Sequence, residues 1–339
     1  MLKYLKDLCL LDGTSGREEK VREYIISKIS GKCDYTVDPM GNILATVKGK
    51  KASKNKVMLS SHMDEVGFIV TYICDNGFLK FTSVGGVDSK VVNGRFVTVG
   101  ESKINGVIAS KALHLCEGDE EHKVNELSKL YIDIGATSKE EAEQYVEIGD
   151  AVYFKSDFTE FGKDKIKAKA IDDRFGCAVM LKMIEETPEF DATFAFLVQE
   201  EVGLRGAGPA AYTVRPDYAI VLEATTASDI AFVSDEDSVC KQGKGAVVSF
   251  MDRSTVYNID MFKGAFRIAE EKNINIQPKT TVAGGNDAGA IHKSCGGVYT
   301  ITVSLPCRYI HSGTSVADKN DMPDCYKLAK ALLEEYANA

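Results

Sequence analysis

The chain has 339 residues, 44% of them hydrophobic and 27% charged, which is enough for a sizeable core and for two compact units rather than one. A net charge of -9 leaves no basic footprint for nucleic acid or an anionic membrane surface, and no run approaches the roughly 20 apolar residues a membrane helix needs. Lys3, Lys6 and Asp7 interrupt any secretory apolar stretch, and the nine cysteines, an odd number without a CxxC pair, read as reduced thiols, so a cytoplasmic location is expected.

Leu2, Leu5, Leu8 and Cys9 share one helical face. Ser15 with Glu18 makes a capping box ahead of Val21, Tyr24, Ile25 and Ile29, which predicts a second helix after a break at residues 12–16. Runs rich in β-branched residues follow at 35–37 and 43–47, joined through the turn residues Pro39, Met40, Gly41 and Asn42. Residues 57–60 read as an apolar strand running into Ser61, His62, Met63 and Asp64. From Val66 to Phe154 the chain becomes strands separated by Gly, Asn and Asp turns, at 68–73, 78–81, 96–99 and 104–109. One short helix interrupts them, opened by a second capping box of Ser138 and Glu141. After Asp172 the pattern predicts a helix over 175–186, strands over 193–198, 218–222 and 298–303, and a closing helix over 326–336. The expected fold class is α/β: one domain over residues 1–65 and 165–339, interrupted by a smaller, mainly β domain over 66–164.

Ligands of open α/β sheets gather beyond the carboxyl ends of the strands. The 57–60 run ends in His62 and Asp64, the 193–198 run in Glu200 and Glu201, and the 218–222 run in Glu223. The 298–303 run leads through Pro306 to His311. Asp172-Asp173-Arg174 opens a helix, where the carboxylates would serve equally as caps favoured by its dipole. Two imidazoles and several carboxylates without a thiolate suit zinc, cobalt or manganese in a catalytic site rather than a structural one. Paired metals bridged by a carboxylate share a water, lower its pKa and polarise a carbonyl, while an unligated carboxylate removes the proton. His114 and His122 lie in the β segment and receive no catalytic role.

Five segments also carry a resemblance: Ser61-His62-Met63-Asp64-Glu65-Val66-Gly67, Ile171-Asp172-Asp173-Arg174-Phe175-Gly176, Gln199-Glu200-Glu201-Val202-Gly203, Gly284-Gly285-Asn286-Asp287-Ala288-Gly289-Ala290-Ile291-His292, and Pro306-Cys307-Arg308-Tyr309-Ile310-His311-Ser312. In their order and reach along the chain they resemble the dinuclear aminopeptidases that build tetrahedral (TET) shells, a family with glutamyl and leucyl members and some labelled cellulase or endoglucanase. The resemblance implies a zinc-peptidase-like α/β sandwich as the catalytic domain. The β insertion would serve dimer contacts and assembly toward a dodecamer. It further implies two divalent ions per subunit and short or unfolded peptides as substrates.

Carried over one position at a time, the resemblance makes Asp172 the bridge between the ions, with His62 and Glu223 completing one and Glu201 and His311 the other. Glu200 is then the general base, Asp64 holds His62 through its second ring nitrogen, and Asp173 is a neighbour of the bridge and not a ligand. His292 and Asp287 look structural or substrate-side. The chain departs from the family in having Glu223 where aspartate is frequent and Asn286 where a hydroxyl residue is common. Two alternatives remain: another metal-dependent amidohydrolase or deacetylase on the same fold, and a catalytically silent, shell-forming assembly protein. A carbohydrate hydrolase working through paired carboxylates would leave His62 and His311 unused. A glutamyl-type pocket needs a cation, for which Arg253 and Lys241 are candidates; a leucyl-type pocket needs only apolar walls.

Overall fold

The computed structural model of the chain describes residues 1–116 and 124–339; His122 lies outside them. The first elements are helices α1 (Leu2–Cys9) and α2 (Glu19–Ile29) and strands β1 (Asp34–Val37), β2 (Ile43–Val47) and β3 (Val57–His62). Next come β4 (Gly67–Ile73), β5 (Leu79–Val84), β6 (Phe96–Val99), β7 (Ile104–Ala109), β8 (Tyr131–Asp133), α3 (Lys139–Ala142) and β9 (Ala151–Phe154). The remainder is β10 (Thr159–Phe161), β11 (Lys165–Ala168), α4 (Ile171–Glu186), β12 (Ala192–Leu197), α5 (Ala207–Val214), β13 (Tyr218–Thr226), β14 (Ala246–Ser249), α6 (Ile259–Lys272), β15 (Ile276–Lys279), α7 (Ala288–Ile291), β16 (Tyr299–Arg308), β17 (Ser315–Asp318) and α8 (Asp321–Asn338).

Strands β12, β3, β13 and β16 lie side by side and parallel at the centre of the larger sheet. Antiparallel strands extend both edges, in the order β1-β2-β12-β3-β13-β16-β17-β11-β10, with β14 pairing to β16 and β15 to β14. The central strands read as unbroken apolar runs because both faces are covered. Ile220 and Leu222 of β13 join a core with α1, α2, α4, α6 and α8, while Ala219 and Val221 pack on the other face with α5 and α7. No helix among the described residues is long and apolar enough to cross a membrane.

Strands β4 to β9 close into a separate barrel in the order β4-β5-β8-β7-β6-β9, around Phe68, Val97, Val99, Ile108, Ile132 and Val152. Closure removes the unpaired edges an isolated hairpin stack would leave. β10 falls inside the span expected to be the β insertion, yet it pairs with β11 and so extends the large sheet.

One local expectation fails. Ser15 and Glu18 form no capping box: α2 has no side-chain cap, and the Ser15 hydroxyl donates instead to Asp64 Oδ2 at 2.6 Å. Glu18 accepts from the backbone of Gly16, two residues back, and of Gln199 across the molecule, so Ser15 and Glu18 each turn to a distant partner and not to each other. At the second box, Ser138 does accept from Glu141 N, while the Glu141 carboxylate turns to Thr137.

Candidate active site

Register brings the site together at one edge of the large sheet. His62 is the last residue of β3 and pairs with Leu197 of β12, which places Glu200 and Glu201 just beyond it. On the other side Val221 pairs with Ser60, so Glu223 stands level with His62. β13 does not end at Glu223 but continues to Thr226, which makes Glu223 a residue of a central strand and 6% exposed. β16 runs parallel to β13 and delivers His311 from the loop after Arg308. Asp172 arrives from the start of α4, whose first residues depart from helical geometry at Asp172 and Asp173.

The carboxylate of Asp172 lies between two pairs of side chains. Its Oδ1 is 3.3 Å from His62 Nε2, which is itself 3.5 Å from Glu223 Oε1. Its Oδ2 is 3.4 Å from His311 Nε2, which is 3.4 Å from Glu201 Oε2. Glu200 groups with His62 and Glu201, their ligand-type atoms within 4.8 Å of one another. Asp173 turns away: its carboxylate accepts from the Ser61 hydroxyl and from Gly176 N, so it caps the helical part of α4.

Asp64 is fully buried and ties several of these parts together. One carboxylate oxygen is 3.4 Å from His62 Nδ1. The same carboxylate accepts the backbone N–H groups of Glu200 and Glu201 at 3.0 and 3.2 Å. With Glu18 accepting Gln199 N, three consecutive amides of the 199–201 turn rest on buried carboxylates. Sequence reasoning gave Asp64 only the histidine and missed Glu18, whose spacing to Ser15 pointed to a local cap.

The electrostatics call for cations. Burial pushes Glu201 up to about 8, with Asp172 adding to the rise and His311 opposing it. Burial likewise pushes Glu200 and Glu223 well above the usual carboxylate range. Burial would raise Asp172 too, but the imidazoles of His311 and His62 outweigh it and hold this carboxyl low. Burial works against a charged His311, yet Asp172 and Glu201 lift it to about 9. Acids that hold protons and imidazoles that gain them mark a cluster short of positive charge.

Divalent ions fit that need. Ligand atoms about 2.0–2.1 Å from a tetrahedral ion stand about 3.3–3.5 Å from one another, the spacing found in both pairs. The donor set is oxygen and imidazole nitrogen, and the buried thiol of Cys177 donates to the His62 carbonyl instead of joining it.

A cleft of about 470 Å³ opens over the cluster, lined on its far side by Thr226, Val239, Lys279, Ala283 and Gly285. The barrel reaches it through the loop after β5. Gly85, at φ +84°, lies against Glu201 so closely that a Cβ would come within 3.2 Å of the Glu201 Cβ, and Gly86 faces His311 Nδ1. Of the expected pocket cations neither lines the cleft: Lys241 pairs with Asp235 on the surface, and Arg253 is exposed. Lys279, the last residue of β15, lines it instead. His292 bonds its own helix through the Ala288 carbonyl, His114 is exposed on the barrel, and Asp287 is buried with both oxygens unpartnered. A larger concavity of about 660 Å³ lies at the opposite ends of the strands, around Lys54 and Lys56, away from every candidate ligand.

Comparison with known proteins finds relatives over nearly the whole chain. Residues 41–328 match the M42 glutamyl aminopeptidase family. The chain is 40% identical to a relative from Acetivibrio thermocellus over 97% of each chain. It is 31% identical to the lysyl aminopeptidase of Pyrococcus furiosus, over 98% of this chain and 96% of that one. Its structure is similar to that of the Pyrococcus horikoshii TET1 peptidase, described as assembling into a tetrahedron or a large octahedral shell, with a TM-score of 0.86, 35% identity and 98% of each chain covered. With the family model spanning most of the chain and the fold shared with solved members, the chain belongs to the M42 glutamyl aminopeptidase family and is a metal-dependent aminopeptidase.

Proposed function

We propose that the enzyme removes single residues from the N-termini of peptides with two divalent ions, zinc, cobalt or manganese, held by five side chains. Asp172 would give one oxygen to each ion, His62 and Glu223 would complete one, and Glu201 and His311 the other. Bound there, the ions supply Lewis-acid polarisation of the scissile carbonyl and a water of lowered pKa. Glu200 takes the proton of the attacking water on its carboxylate and returns it to the departing amine. Asp64 holds the His62 ring through Nδ1, which leaves Nε2 facing the cluster, and fixes the backbone from which Glu200 and Glu201 project.

The observation that carries this reading is the division of Asp172 between the two pairs, at 3.3 and 3.4 Å. A single-metal site would not require both oxygens of one carboxylate to face separate imidazole-carboxylate pairs. Short or unfolded peptides are the proposed substrates. Homo-oligomerisation, as dimers building toward a dodecamer, is proposed through the barrel, where Phe96, Leu113, Leu115 and Ile148 are exposed. All nine cysteines are free, which supports a cytoplasmic location.

The test is to strip the protein with a chelator, restore zinc, cobalt or manganese separately, and assay unblocked aminoacyl substrates beside Glu200→Gln. Restored cleavage with two ions per subunit, and a loss of about 10²-fold or more in kcat for the variant, are the expected results. Full activity with one ion, or in the variant, would overturn the assignment.

A further inference from the structure

Lys169 and Arg174 stand on either side of the segment that carries Asp172, and both reach the same carboxylate. Glu65 Oε1 is 2.5 Å from Lys169 Nζ and 3.5 Å from Arg174 Nη2, and it also accepts the backbone N–H of Gly13 at 3.1 Å. Lys169 Nζ donates further to the Leu11 carbonyl at 2.7 Å, and Arg174 donates to the carbonyls of Leu8 and Gly13 at 2.7 and 3.3 Å. The three side chains are at most 3% exposed, and none of them lines the cleft over the cluster. The proposed mechanism leaves all three without a task.

Between the two cations the backbone has little of its own to hold it. Ala170 sits at φ +55°, in the left-handed region that costs an alanine about 1–2 kcal/mol, and Asp172 and Asp173 lie outside helical geometry. Residues 170–173 therefore form an arch pinned at one end by Lys169 and at the other by Arg174. Glu65 follows directly on Asp64, so the carboxylate that gathers both cations also ties the arch to the end of the strand that carries His62. Stability alone does not account for such a set, because replacing a buried ion group by apolar side chains of like size is often neutral or stabilising. What it supplies is direction, since charge-assisted hydrogen bonds fix distance and angle where apolar packing leaves both looser.

We propose that Lys169, Glu65 and Arg174 form the positioning device of the metal centre, which holds Asp172 where both of its oxygens can serve an ion. This rests on the two-ion reading above. The three residues touch neither substrate nor ion; they act through Asp172 and, by way of the neighbouring Asp64, through His62. A displacement of the arch by about 1 Å moves the one carboxylate that both ions share, so both are weakened together. The far wall of the cleft, with Thr226, Val239 and Gly285, is left as it was. The signature is a loss in kcat and in affinity for both ions at an unchanged KM.

The experiment compares wild type, Lys169→Met and the double variant Lys169→Met/Glu65→Gln. Each is followed by thermal melting without metal, by calorimetric titration with the most activating of zinc, cobalt and manganese, and by kcat and KM at saturating ion on the aminoacyl p-nitroanilide that wild type cleaves fastest. Lys169→Met leaves Glu65 buried beside a single cation and is the variant at risk of unfolding; the double variant removes one charge of each sign and carries the test in that event. In the folded variants both ions are expected to bind about 10- to 100-fold more weakly, and kcat to fall about 10- to 100-fold with KM within about twofold of wild type. If both variants unfold, or if they melt earlier yet keep wild-type kcat and ion affinity, the three residues are structural only and the proposal is overturned. A loss confined to KM or to one ion overturns it as well and leaves the two-ion centre standing. A wild type that binds a single ion, or works without any, overturns the two-ion reading itself.

Discussion

The side chain of His62 is 1% exposed at the end of a central strand, whereas that of His311 is 36% exposed on a loop beyond β16. Their carboxylate partners differ in the same sense. Glu223 belongs to β13, flanked by β3 and β16, while Glu201 follows β12 in a turn whose shape depends on Asp64. One half of the centre is therefore built from sheet register alone. The other is assembled from two loops, with Gly85 and Gly86 of the barrel side pressed against it. The difference teaches that half of the site is a property of the sheet and half a property of how sheet and barrel meet.

The largest effect is expected where the halves join. Asp172→Asn keeps the shape but weakens the group shared by both, so kcat is expected to fall by about 10³-fold or more and both ions to bind less tightly. Metal content after dialysis checks this, and loss of only one ion would show that the halves are independent.

His62→Ala and His311→Ala separate them next. Removing His62 leaves Glu223 and Asp172 buried without their imidazole, which is expected to destabilise the metal-free protein by about 3 kcal/mol. His311→Ala, at a solvent-facing position, is expected to cost under about 1 kcal/mol while still losing one ion. Thermal melts with metal analysis read both, and equal losses of stability would break the comparison.

A pH series sharpens the open half. Glu201 at about 8 and His311 at about 9 lie above their ordinary values, so at neutral pH the metal-free protein holds protons on both. An ion must displace those protons, so affinity is expected to rise with pH up to about 9 and to fall as pH drops, by about tenfold per unit for each proton displaced. Calorimetry in buffers of different ionisation enthalpy counts the protons released, and a flat response between pH 7 and 9 would contradict the assignment.

The smallest effect concerns Glu18. Glu18→Ala removes the acceptor for Gly16 N and Gln199 N, with an expected cost of about 1–2 kcal/mol. A loss of about tenfold in kcat is expected with it, because the Glu200 turn loosens. Glu18→Gln keeps an accepting oxygen and is expected to recover most of both. If kcat stays at the wild-type level in the alanine variant, Glu18 is a structural residue only.

Much of the site was legible in the linear chain because its residues follow strands. His62, Glu200, Glu201, Glu223 and His311 each come at or after an apolar run, and all are found at one sheet edge with Asp172. Two readings went wrong for related reasons. The Ser15 and Glu18 spacing matched a local cap, but buried partners at Asp64 and Gln199 were better placed. Arg253 and Lys241 were near in sequence to Glu223, but β15 carries Lys279 to the cleft instead.

By itself the sequence determined the four central strands, since burial on both faces of a parallel sheet demands apolar runs of that length, whereas α5, α6, α7 and the short strands β14, β15 and β17 carried no such run. It also determined which polar residues stand at the ends of those runs. Only the tertiary structure decided which carboxylates share an imidazole and which turn away as Asp173 does. Those outcomes depend on hydrogen bonds and charges between residues more than a hundred positions apart, whose energies no local pattern of residues contains.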